Sequence, residues 1–145
     1  MTATEVAFQR CIDPACNRTY GIDEVLVACT ECGNLLDVAY DWDRVSLPQR
    51  LTDFQAKWAL RDHPLDFSGV WRFRQLLPFA GDSHVVSVGE GQTLLQRADA
   101  VAAYAHMQPG CLYLQYEGMN PSGSFKDNGM SAAFTHAHLI GARRA

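Results

Sequence analysis

The sequence predicts an α/β fold led by a small cysteine-bearing module. Three observations carry that prediction. After residue 81 the patterns run strand, glycine loop, helix, strand, glycine loop, helix, the βα repeat of α/β domains. Before residue 45, two cysteine pairs alternate with short β-prone runs. Hydrophobic residues make up 48% of the chain and charged residues 19%, which suits a chain that buries a core and not a disordered one. With 145 residues the chain can fill one ordinary domain, with little left for a second.

The first stretch, residues 1–45, reads as a knuckle-and-hairpin module with β-prone runs at 24–28 and 35–40. Four residues lie between Cys11 and Cys16, two between Cys29 and Cys32, and twelve separate the pairs. Spacings of two to four let a tight turn aim two thiolates at one ion, and Gly33 supplies the bend after Cys32. Four thiolates around one ion would form a closed structural Zn²⁺ site with no open catalytic position. The competing reading is four free cysteines packed as small hydrophobes. Cys111, at the start of a strand pattern, is assigned to the core.

Residues 46–80 form a helical connecting segment with Leu51, Phe54, Trp58 and Leu60 as its apolar stripe. His63-Pro64 and Gly69 break the pattern. Arg72 and Arg74 alternate with Trp71 and Phe73, which suggests an extended stretch with its arginines facing solvent. Asp41 and Asp43 flank Trp42 as a solvated turn.

Residues 81–145 carry the βα pattern. Gly89-x-Gly91 precedes a helix expected over about 96–107, but Leu94 breaks the dinucleotide fingerprint. An ordinary turn and a backbone turn near a ligand anion both remain open. A strand at 112–116 then feeds Asn120-Pro-Ser-Gly-Ser-Phe-Lys-Asp-Asn-Gly129 and a helix with Met130, Ala133, Phe134, Ala137 and Ile140 at helical spacing. Ser124 and Asp127 read as a capping box, which puts Lys126 in the first turn. A cation there works against the helix field, an arrangement suited to an amine that forms a Schiff base. A solvated surface lysine is the competing reading. His136 and His138, two apart on a helix, do not share a face and are no metal pair.

Asn120-Pro-Ser-Gly-Ser-Phe-Lys-Asp resembles the pyridoxal-phosphate lysine motif of the threonine synthase and serine/threonine dehydratase family, the tryptophan-synthase-β-like enzymes. Many members carry Arg where this chain has Asn128. Ser68-Gly-Val-Trp-Arg-Phe-Arg-Gln-Leu-Leu-Pro78 and Val86-Ser-Val-Gly-Glu-Gly-Gln-Thr93 resemble segments that precede the motif in threonine synthases. The second usually ends Thr-Pro-Leu, and here it reads Thr93-Leu94-Leu95. The resemblance spans nearly the whole chain, in the expected order.

The resemblance implies a fold type II pyridoxal-phosphate domain, here incomplete, and a lyase of threonine biosynthesis converting O-phosphohomoserine and water to threonine and phosphate. Lys126 would hold pyridoxal 5'-phosphate through its amine, with Asn120, Ser122, Gly123 and Ser124 shaping the wall of the site. Threonine synthases often carry a similar N-terminal cysteine-pair module, so Cys11, Cys16, Cys29 and Cys32 are the metal candidates, and a homodimer is allowed for the intact enzyme. The family's cofactor-phosphate loop and its partner for the pyridine nitrogen lie downstream of the motif, and nineteen residues follow Lys126. The expectation is a truncated chain, inactive alone. A threonine dehydratase or cysteate-synthase-like relative, and a non-catalytic zinc-ribbon interaction module, are the alternatives.

Other classes are excluded by charge and hydropathy. A net charge of −4 leaves no electrostatic footprint for nucleic acid. Residues 1–10 lack the basic and apolar regions of a signal peptide, and no apolar run reaches bilayer length. A soluble cytoplasmic protein with reduced cysteines and no membrane partner is expected.

Overall fold

Strand β1, Ala7–Cys11, buries Ala7, Gln9 and Cys11 on one side, the period-2 pattern of a half-covered strand. In the computed structural model, which describes residues 6–143, β1 is the centre of a three-stranded antiparallel sheet. Its neighbours are β2, Thr19–Gly21, with Gln9 opposite Tyr20, and β3, Leu36–Tyr40, with Cys11 opposite Leu36. The run expected at 35–40 is therefore a strand, but the run at 24–28 is not. Val25 and Val27 imitate strand alternation, yet both side chains are exposed. The Glu24 carbonyl is taken by the Gln9 side chain, which also donates to the Gly21 carbonyl, both at 2.8 Å.

Helix α1, Leu51–Leu60, starts where the Asp53 carboxylate accepts from the Arg50 amide at 3.2 Å and ends at Arg61 in a left-handed conformation. Of its predicted stripe, Phe54 is buried and stacks obliquely on Phe73 with ring centroids 5.0 Å apart, while Leu51 and Leu60 face solvent. The helix ends at Leu60, and the following residues form two 3₁₀ turns, Pro64–Phe67 and Trp71–Leu76. Arg72 and Arg74 thus lie on a 3₁₀ turn and not on an extended segment. The turn brings Arg74 back onto the buried carboxylate of Asp66 at 2.7 Å. An ion pair with one partner shielded from water replaces the solvent-facing arginine expected there.

The second half is mixed α/β. Strands β4, Leu94–Arg97, and β5, Tyr113–Tyr116, flank the short helix α2, Asp99–Tyr104, and pair antiparallel. The repeat read from the sequence implied a helix already at residue 96. Instead β4 runs through Arg97, and Asp99 closes the loop by accepting from Arg97 Nε at 2.9 Å and the Gly110 amide at 2.8 Å. Cys111 is exposed, not in the core.

The long helix α3, Lys126–Leu139, is rotated relative to the predicted stripe. Ser131 and Thr135 face inward, and Met130 and Phe134 face out. The reason lies at Val86. Its amide donates to Thr135 Oγ1 at 2.9 Å, and its carbonyl accepts from Ser131 Oγ at 2.7 Å. Two helix side chains satisfy the backbone groups that a sheet neighbour would otherwise take, so the apolar run at 85–88 forms no strand.

One core cluster joins these parts. Ala7, Ile22, Trp71 and Phe79 are its buried members, with Ala132 and Leu139 of α3 packed against them. Trp71 is fully buried, and its Nε1 donates to Ser131 Oγ at 2.6 Å and to the Val86 carbonyl at 3.1 Å. Among the described residues no helix is long and apolar enough to cross a membrane.

Candidate functional site

Lys126 is the first residue of α3, and its side chain is exposed. The N-cap position falls on Phe125, without a side-chain cap bond, and Ser124 stands one residue before it, its Oγ accepting from the Lys126 amide at 3.2 Å. Asp127 does not complete the reciprocal box. Its carboxylate reaches back to the Ser122 hydroxyl and to the Ser122 amide at 2.8 Å, and those bonds hold it below the usual carboxylate range. The loop is thereby tied to the helix it precedes. Gly123, at φ 76°, takes the left-handed conformation of the turn, with its amide donating to the Asn120 carbonyl at 2.7 Å.

Of the five residues assigned to the cofactor site, Ser122, Gly123, Ser124 and Lys126 lie together on this accessible loop and helix start. Asn120 does not. It is buried, its Oδ1 accepts from the Gly91 amide at 2.8 Å, and its Nδ2 donates to Glu117 Oε2 at 2.7 Å. Glu117 also accepts from Thr93 Oγ1 at 2.9 Å and from Asn128 Nδ2 at 3.1 Å. The Asn128 Oδ1 is buried without a partner among the described residues. Among the described residues no acidic group pairs with the Lys126 amine.

The Gly89–Gly91 turn leads into β4, not into a helix. Its use is packing: a Cβ on Gly69 would come within 2.6 Å of the Gly91 Cα, and the Gly69 amide donates to the Glu90 carbonyl at 2.6 Å. The Glu90 carboxylate is fully buried and accepts from the Ser68 hydroxyl, Ser87 Oγ at 2.8 Å and the Val88 amide at 3.0 Å. Burial pushes its carboxyl up, but the hydrogen bonds outweigh this and leave it below the ordinary value. Glu90 and Glu117 were missed from the sequence. An acidic residue between two glycines, and one beside a glycine at a strand end, were the available signals.

The cysteine pairs do converge. The Sγ atoms of Cys11, Cys16, Cys29 and Cys32 all lie within 4.8 Å of one another, with Cys11 and Cys32 at 3.4 Å and Cys16 and Cys29 at 3.6 Å. Tetrahedral Zn–S bonds of about 2.3 Å would put the sulfurs about 3.8 Å apart, so the cluster fits a metal of that size. The Gly33 turn, at φ 75° and closed by its amide on the Cys29 carbonyl at 2.8 Å, bends the second knuckle. The Tyr20 hydroxyl, first among several hydrogen bonds, brings the Cys29 thiol down to about 6. Burial drives Cys11 up to about 12. His136 and His138 take no part and bond to separate carbonyls, those of Ile22 at 2.8 Å and His84 at 3.0 Å.

No family model matches the chain. Curated relatives do. A threonine synthase of Methanocaldococcus jannaschii is 38% identical over 133 residues, 92% of this chain and 29% of the relative. One of Methanosarcina acetivorans is 33% identical over 132 residues, 91% of this chain and 28% of the relative. A threonine synthase of Synechocystis is 38% identical over 71 residues, 49% of this chain and 18% of the relative. The chain spans less than a third of the length of these relatives. The likeness read from the lysine motif thus holds across almost the entire chain, which is a homologue of threonine synthases.

Proposed function

We propose that this chain supplies the lysine-bearing segment of a threonine synthase-like lyase of fold type II, with Lys126 as the attachment point for pyridoxal phosphate. The observation that supports it most is the alignment: a match of 133 out of 145 residues has to include position 126. Bound pyridoxal phosphate would supply an electron sink for the substrate carbons. The Lys126 Nζ would hold the cofactor and carry protons during turnover, and Ser122, Gly123 and Ser124 would wall the site. The reaction proposed for a protein carrying this segment is O-phosphohomoserine plus water to threonine and phosphate. Cys11, Cys16, Cys29 and Cys32 would hold a structural zinc ion that brings no open position to the chemistry.

The chain contains two lysines, and the second is a built-in control. Lys57 lies on α1 with its amine bonded to Gln75 Oε1 and over the Phe54 ring. Incubation with pyridoxal phosphate, borohydride reduction and peptide mapping should place the label on Lys126, and Lys126→Ala should remove it. Labelling of Lys57 in preference to Lys126 overturns the assignment.

A further inference from the structure

We propose that Tyr20 is a positioning residue for the four-cysteine metal centre, donating its hydroxyl hydrogen to the Cys29 thiolate. The inference rests on the metal reading of the cysteines and goes beyond it, because it names a residue outside the ligand set that controls how firmly one ligand is held.

The argument is a count of hydrogens. Around the Tyr20 Oη lie Cys29 Sγ at 3.2 Å, Thr30 Oγ1 at 2.9 Å and the Thr30 amide nitrogen at 3.1 Å. A phenol has one hydrogen to give and can accept two. The Thr30 amide can only donate, so it uses one acceptor position. A metal-bound thiolate can only accept, so it needs the phenol hydrogen. The Thr30 hydroxyl then donates into the remaining acceptor position. One arrangement satisfies all three contacts, and it directs the Tyr20 O–H at the sulfur.

The donor is held in place from behind. Tyr20 is the middle residue of β2, opposite Gln9, whose side chain donates to the Gly21 carbonyl at 2.8 Å. Cys29 is a buried ligand, so no bulk water stands ready to replace a lost donor. A hydrogen bond to a ligating atom fixes its orientation and withdraws charge from it, and loss of such a partner typically weakens metal binding by about 10–100-fold. By contrast Cys32 is exposed, and the side-chain donor that meets its sulfur from outside the cysteine cluster, Asn34 Nδ2, stands at 3.6 Å.

The test uses the whole chain loaded with zinc, and in parallel with cobalt(II). Tyr20→Phe should still bind one equivalent of zinc but release it to a chelator at least about tenfold faster. The thiolate-to-cobalt charge-transfer band should move to lower energy, because the sulfur regains the charge the phenol withdrew. Thr30→Val, which keeps the phenol hydrogen, should change both readouts far less. A fluorotyrosine at position 20, a stronger donor of nearly the same shape, should slow release, and this arm serves if the phenylalanine variant does not fold. Unchanged release and an unchanged band in Tyr20→Phe, or in the fluorotyrosine protein, overturn the inference. Failure of the unaltered chain to bind zinc at all would instead strike the metal reading itself.

Discussion

Asn120 Oδ1 accepts the Gly91 amide at 2.8 Å and so fastens the loop in front of Lys126 to a glycine turn 29 residues earlier. The same side chain donates from Nδ2 to Glu117, so one buried amide serves both structures. An asparagine is well suited to this place because it carries an acceptor and two donors on one short stem. The lysine motif therefore contains a residue that braces the loop from inside while its neighbours face out.

Asn120→Ala should lower stability by about 1–3 kcal/mol, because it strands the Gly91 amide and removes one of the two donors to Glu117 Oε2. The midpoint of urea unfolding measures it. Asn120→Asp should do no better: it keeps the acceptor but turns a donor toward Glu117 into a like charge.

Gly69→Ala should destabilise by about 1–3 kcal/mol, since its Cβ meets backbone that cannot swing aside. The nearest atom would be the Gly91 Cα at 2.6 Å. Gly81→Ala is the control, with nothing within 4 Å of the added carbon. Thermal unfolding of the two proteins should separate clearly, and equal melting temperatures would remove the close approach from the account.

Thr135→Val keeps the shape of the side chain and removes the acceptor for the Val86 amide. An expected loss of about 1–3 kcal/mol follows from a buried amide left without a partner. Phe134→Ser, at the half-exposed neighbouring position, should cost much less. Denaturant titration of the pair distinguishes the observed helix face from the apolar stripe.

That helix marks the limit of what residue patterns disclose. The start of α3, the β3 strand and the convergence of four cysteines were legible because each is set by local spacing. The inward face of α3 was not, because its polarity is answered by Val86, a partner distant in sequence. The same holds for Val25 and Val27, whose alternation lacks a pairing strand, and for Asp66, whose partner Arg74 arrives through a 3₁₀ turn. Glycine turns were visible, but their purpose, contact between Gly69 and Gly91, needed both chain segments at once.

Acid should unfold the protein partly through Glu90. Its folded carboxyl sits below the ordinary value, so the stabilisation it provides is present above the unfolded pKa and is lost as pH falls through the lower folded one. Stability of the Glu90→Gln variant should therefore show a shallower acid limb than the unaltered chain. Parallel curves from pH 7 down to 3 would count against it.

Zinc affinity should fall as pH falls. Cys11 and Cys16 are raised in the metal-free protein, so zinc must displace their protons across the neutral range, at on the order of tenfold per pH unit for each proton. Below about 6 the Cys29 proton joins them, and the dependence should steepen. Competition titrations with a chelator of known proton affinity read this slope directly.

The core that collects Ala7, Ile22, Trp71, Phe79, Ala132 and Leu139 has a practical consequence for anyone cutting this gene. An expression boundary placed at residue 46 would take away Ala7 and Ile22, and with them the carbonyl that receives His136. The shortened product would present the flank of Trp71 and the inner side of the lysine helix to water. Its failure to bind cofactor would then report a missing wall, and would say nothing about Lys126.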